Sequence, residues 1–253
     1  MTVNPMIYNV NTRVRWAAVE RTLKGIDLTG KHVLDVGCGL GFFSERFLER
    51  GATIEGIDVD AAAVKFVRER TGAVTRIFNI ETEPLPRSSY DIIFAGEVLE
   101  HLKDPGKFYV KAQNALRPGG HLIVTTPALE GWLSLSRGKQ LAHSHGGQKH
   151  EREGFRAAEL NQFARTAGLT EVSHGYCLHT LAELFMQLTK LGYLLSRCGY
   201  EGQSDVLGLV NKPSFQLLRL AFSLIWPMVL LEDSIARLLG ARGHCHVHIT
   251  QQH

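Results

Sequence analysis

The chain has 253 residues, 44% hydrophobic, with a formal net charge of +3, enough to bury one substantial core with an appended subdomain. So even a charge balance argues against a dedicated nucleic-acid binder, and no nucleic-acid partner is expected. Cys38, Cys177, Cys198 and Cys245 lack paired spacing, which disfavours a disulfide scaffold or zinc ribbon and points to a reducing cytosol, and polar Met1 to Asn11 does not read as a signal peptide.

Residues 1–12 read as an irregular lead-in, followed by an amphipathic helix from Arg13 to Leu23. Val33-Leu34-Asp35-Val36 is a short apolar run that reads as a buried strand. Gly37, Gly39 and Gly41 then break it, and Phe42 to Glu49 resumes with helical periodicity. Strand, glycine turn and helix make the first half of a βαβ unit. Glycine is needed there because a Cβ would hold the backbone away from a ligand lying across the strand ends. Asp35 can accept hydrogen bonds from that ligand or from N–H groups of the turn. A phosphate-binding loop would follow its last glycine with Lys-Ser or Lys-Thr, whereas Phe42-Phe43 follows here. The dinucleotide form Gly-x-Gly-x-x-Gly is also absent, which weighs against a dehydrogenase.

The second strand, Thr53 to Asp58, ends in a carboxylate placed to take both hydroxyls of a ribose and to repel a 2′-phosphate. Asp60 to Arg70 reads as a helix and Val74 to Phe78 as a third strand, with Asn79 and Ile80 at its end. Tyr90 to Ala95 is a fourth, nearly all-apolar strand, from which Gly96 and Glu97 emerge. On a helix after it, Glu97, Glu100 and His101 share one face at i, i+3 and i+4. Three readings of that face stand: His101 as general base or orienter, the trio as ligands of a divalent metal, or a structural role. A helix then runs to about Leu116, and Arg117-Pro118-Gly119-Gly120 turns into a fifth strand, His121 to Thr126. Such alternation forces right-handed crossovers and a doubly wound α/β sheet with helices on both faces.

Residues 128–154 read as a lid over an acceptor pocket, with His143, His145 and His150 either completing a site or solvated. Phe155 to Ala167 is a helix, Leu169 to Val172 begins a strand, and Tyr176 to Arg197 is an apolar helix broken over Gly199 to Pro213. Ser214 to Leu239 is a second long helix, interrupted at Pro227. Its apolar run, Leu220 to Leu231, is too short to span a bilayer. Two readings of residues 179–239 therefore stand: helices that cap the core and pocket, or a peripheral contact with a membrane or lipid-like acceptor. His244 to Thr250 returns as a final strand.

VLDVGCGLGFFS, GATIEGIDVD, SYDIIFAGEVLEHLKDP and LRPGGHLIVTTP, in that order over roughly residues 30–127, resemble the class I S-adenosylmethionine-dependent methyltransferases. The nearest pattern is the type 11 and ubiquinone-pathway O-methyltransferases, whose NPLR-type first helix is similar to NTRVRWAAV and whose last helix and strand are similar to REGFRAAELNQFARTAGLTEV. The resemblance implies a Rossmann-like, mostly parallel seven-stranded sheet with a helical C-terminal insertion, and S-adenosylmethionine as cofactor. It implies Arg15 at the cofactor's methionine carboxylate, Gly37, Gly39 and Gly41 along its backbone, and Asp58 with Val59 at the ribose. Asn79 and Ile80 would meet the adenine, with Gly96 and Glu97 at the same edge. The ExxEH spacing of Glu97, Glu100 and His101 resembles that of relatives which hold a metal beside the acceptor hydroxyl.

The expected reaction is methyl transfer to a small, apolar or lipid-like acceptor, on oxygen first. Carbon or nitrogen acceptors, an RNA 2′-hydroxyl and a non-catalytic nucleoside-binding module remain as alternatives. The organisation expected is a lead-in over 1–30, a cofactor-binding core over 31–178, a helical cap over 179–243 and a last core strand over 244–253. A cytoplasmic location is expected, with or without membrane association; oligomeric state is not readable.

Overall fold

The computed structural model describes residues 4–131, 150–195 and 213–253. The strands are β1 (His32–Val36), β2 (Thr53–Asp58), β3 (Val74–Ile77), β4 (Tyr90–Gly96), β5 (Leu116–Pro127), β6 (Thr170–Cys177) and β7 (Cys245–Gln251). The helices are α1 (Val10–Thr22), α2 (Phe42–Glu49), α3 (Ala61–Thr71), α4 (Pro105–Ala115), α5 (Ala157–Thr166), α6 (Thr180–Leu195) and α7 (Pro213–Leu238). The strands form one seven-stranded sheet in the order β3-β2-β1-β4-β5-β7-β6. β3 through β5 pair in parallel, and β7 runs antiparallel between β5 and β6.

Alternation along the strands sorts the core into two layers. Val33, Ile92, Phe94, Ile123, Val247 and Ile249 point to the side covered by α1, α2, α6 and α7. Leu34, Val36, Ile93, Ala95, Leu122 and Val124 point to the opposite side, against α4 and α5. Helix starts follow their caps. Asn9, Asp60 and Asp104 accept from backbone N–H groups at the first turns of α1, α3 and α4. Buried Asn4 ties the N-terminal segment to the glycine loop by donating to the Leu40 carbonyl at 2.9 Å.

Several boundaries depart from the sequence reading. Arg117 to Gly120 is absorbed into β5, because pairing jumps from Tyr90↔Leu116 to Ile92↔His121 and the residues between bulge out. Strand β6 continues to Cys177 because Ser173 to Cys177 pair with β7, so α6 starts at Thr180. Helix α7 runs through Pro227 without a break. The missing N–H removes one backbone bond, while buried Phe222 and Val229 hold the turns on either side. The expected break at Gly199 to Pro213 falls mostly on residues 196–212, outside those described, and Pro213 opens α7.

Residues 132–149 of the expected lid are likewise outside the described residues, including His143 and His145. The ends of that segment lie together. The Leu129 N–H donates to the Phe155 carbonyl and the Phe155 N–H to the Pro127 carbonyl, each at 2.9 Å.

Candidate functional site

The C-terminal ends of β1, β2 and β4 bring most of the sequence-derived candidates to one edge. Gly37, Gly39 and Gly41 all take left-handed backbone, with φ of 67°, 50° and 72°. A Cβ on Gly37 would lie 2.7 Å from Val98, and one on Gly41 2.8 Å from Val67 of α3. The glycines are therefore required by the fit of the loop against its neighbours as well as by any ligand.

Asp35 is buried, and its carboxylate accepts from the Ser44 hydroxyl at 2.5 Å. Its bond thus runs to the first turn of α2, a partner the sequence reading did not name. Burial pushes its pKa up to about 7, with the Ser44 bonds opposing the rise.

Asp58 ends β2 with both carboxylate oxygens fixed: Oδ2 accepts from the Gly39 N–H and Oδ1 from the Asp60 N–H, each at 2.9 Å. Each oxygen keeps a lone pair for a further donor. Desolvation raises the Asp58 pKa, and these backbone bonds oppose the rise. Val59 beside it is exposed. Asn79 uses its side-chain oxygen to accept from the Glu81 N–H at 2.9 Å, and Ile80 is buried.

Glu97 has φ of 57°, a conformation few side-chain-bearing residues adopt, and its N–H donates to the Thr125 carbonyl at 2.8 Å. That backbone turns its carboxylate toward Arg15, whose Nη1 lies 3.5 Å from Oε1. Arg15 is itself buried on α1, donates through Nε to Asn11 at 2.7 Å and lies over the Phe43 ring. Two distant parts of the chain, the first helix and the end of the fourth strand, therefore meet here. Gly96 is small because the Phe94 ring would stand 2.9 Å from a Cβ.

The helix expected after β4 is instead a single 3-10 turn, Leu99–His101. Glu97, Glu100 and His101 consequently do not share one face. Glu100 turns inward, buried, with Oε2 accepting from Thr126 at 3.2 Å and Oε1 without a partner among the described residues. Burial first and the Glu97 charge second hold its pKa well above the usual carboxylate range. His101 packs edge-on against His150, ring centroids 4.4 Å apart. The Glu151 and Arg152 N–H groups both donate to the Glu100 carbonyl, which fixes the returning end of the 128–154 segment beside this turn. Among the described residues, no group of three His, Cys, Asp or Glu side chains could hold a metal ion.

Sequence reading missed Cys245, Ser44 and Thr126. Cys245 comes from β7 and sits 3.8 Å from Glu97 Oε1, directly across from Cys177 in the β6–β7 pairing. No local signal marks it, because it depends on β7 inserting beside β5.

A family model described as a methyltransferase domain matches residues 34–124. A probable S-adenosylmethionine-dependent methyltransferase of Mycolicibacterium smegmatis is 35% identical over 140 residues, 55% of this chain and 52% of that protein. A ubiquinone biosynthesis O-methyltransferase of Cupriavidus pinatubonensis is 31% identical over 169 residues, 62% of this chain and 68% of the relative. The chain spans about half the length of the first curated relatives it matches. Among solved structures, an S-adenosylmethionine-dependent methyltransferase of Mesorhizobium loti superposes with a TM-score of 0.60 at 16% identity, covering 94% of this chain and 97% of that one, which supports the fold. With its glycine turn, the acid that ends β2 and its sheet order, the chain belongs to the class I S-adenosylmethionine-dependent methyltransferases.

Proposed function

We propose that this chain transfers the methyl group of S-adenosylmethionine to the hydroxyl of a small, apolar acceptor. The observation that carries the cofactor half is Asp58, its two oxygens steadied by backbone N–H groups beside a loop whose glycines keep the strand edge bare. The donor set fits: Asp58 can take the ribose hydroxyls, and the Arg15 guanidinium has donors left beyond Asn11 and Glu97 for a carboxylate. The acceptor half is supported by similarity to proteins named as ubiquinone biosynthesis O-methyltransferases.

Bound at this edge, the cofactor supplies an electrophilic methyl carbon whose sulfur leaves as a neutral thioether, so alignment supplies most of the acceleration. In this reading His101, whose ring packs against His150, accepts the acceptor's hydroxyl proton. Glu100, accepting from the Thr126 hydroxyl, braces the turn that carries His101. The test is incubation of the protein with methyl-labelled cofactor and either a lipid extract or a polar extract of cells. Label entering the lipid fraction is expected. Label confined to the polar fraction overturns the acceptor class, and label in neither overturns the transfer.

A further inference from the structure

Helix α7 is apolar on two opposite faces. Phe222, Val229 and Ala236 are buried against the core. Leu220, Leu224, Met228, Leu231, Ile235 and Leu238 lie on the other side, with Leu224 70% and Leu238 86% exposed. Successive members are three or four residues apart, which keeps the stripe straight along the helix, as a flat contact surface requires. Leu184 and Leu188 of α6 are exposed as well. Among the described residues this apolar stripe is exposed along the length of the helix, and large exposed apolar patches mark interaction sites.

The charges beside the stripe decide between occupants. Arg219 and Arg237 lie about five turns apart and so on the same flank. Arg13 of α1 joins them, 4.7 Å over the Trp226 ring, and Arg219 stacks 4.9 Å over Tyr8. The acids of α7 are turned inward: Glu232 accepts from the Leu181 N–H, and buried Asp233 pairs with Arg21 and, at 3.5 Å, with Arg237. An antiparallel pair of copies, the arrangement that suits helix dipoles, would press two arginine flanks together. A negatively charged lipid surface instead complements them, and the arginine-and-aromatic flank beside a leucine face is the make-up of a helix lying in a bilayer interface. Among the described residues, no helix is long and apolar enough to cross a membrane, so the contact is in-plane.

We propose that the outer face of α7 docks the protein on an anionic membrane surface, with the leucine stripe entering the acyl boundary and Arg219 and Arg13 facing the headgroups. The test is sedimentation of the full chain with vesicles of phosphatidylcholine, with and without phosphatidylglycerol, alongside light scattering of the free protein. The wild type should pellet with the anionic vesicles and several-fold less with the neutral ones. Leu224→Glu/Leu231→Glu should lower the anionic partition about tenfold or more while S-adenosylhomocysteine affinity stays unchanged, which shows that the variant is folded. Equal partition of the double variant, or no pelleting of the wild type, overturns the proposal. So does a wild-type dimer that the double variant converts to monomer, since a second copy would then cover the stripe.

Discussion

Asp35 and His101 carry separable predictions at the scale of single residues. The folded protein holds the Asp35 proton up to about pH 7, whereas an unfolded aspartate releases it near its ordinary value of about 4. Between those values the native state binds more protons than the unfolded one, so stability falls as pH rises, at about 1.4 kcal/mol per unit from this group. Asp35→Asn keeps an acceptor for Ser44 but cannot titrate. Against the opposing contribution of the buried histidines, Asp35→Asn should therefore make the change in melting temperature with rising pH more positive than in the wild type across that window; an unaltered slope would show that the carboxyl does not contribute. His101→Ala should reduce turnover by about a hundredfold or more with little change in cofactor affinity. Equal losses in both would make it a packing residue against His150. The positions of Asp58 and Arg15 followed from local pattern and resemblance, because strand ends and helix faces are set by neighbouring residues. The inward turn of Glu100 did not follow, since it depends on the left-handed backbone at Glu97 and on Thr126 from another strand.

At the scale of elements, the glycine loop and β7 respond to different perturbations. Gly41→Ala forces a Cβ into left-handed backbone and into Val67, so a loss of about 1–3 kcal/mol is expected from denaturant unfolding. Adding Val67→Ala should relieve only the clash portion of that loss; complete recovery would mean that the backbone conformation carries no strain. On β7, His246 and His248 are fully buried, and desolvation lowers them to about 4 and about 3. Facing them are His174 and Glu171 of β6, Tyr109 of α4 and, beside His246, Glu130. Because these imidazoles resist protonation in the folded state, their contribution is intact above about pH 6.5 and is lost as pH falls toward those values. His248→Gln should make the change in melting temperature with rising pH between 5 and 7 less positive than in the wild type, the opposite sign to Asp35→Asn, whereas a slope identical to the wild type would place the acid sensitivity elsewhere. Strands β1, β2 and β4 and helices α2 and α3 were legible because their periodicity is local. The extent of β6 and the bulge in β5 were not, because pairing partners far along the chain set them.

At the scale of the whole molecule, sheet order brings three strand ends and one helix to a common edge, and the antiparallel β7 brings Cys245 beside Glu97 there. The parallel order was legible from alternating elements, while the pairing of Arg15 with Glu97 required the fold, since α1 and β4 are far apart in sequence. The most direct measurement is calorimetric titration of the protein with S-adenosylhomocysteine, beside the same titration of Asp58→Ala. A saturable isotherm with one site per chain is expected, with the variant weaker by about 1.5–3 kcal/mol for the lost charge-assisted ribose bonds. A flat titration of the wild type, or an affinity indifferent to Asp58, would contradict cofactor binding at this edge.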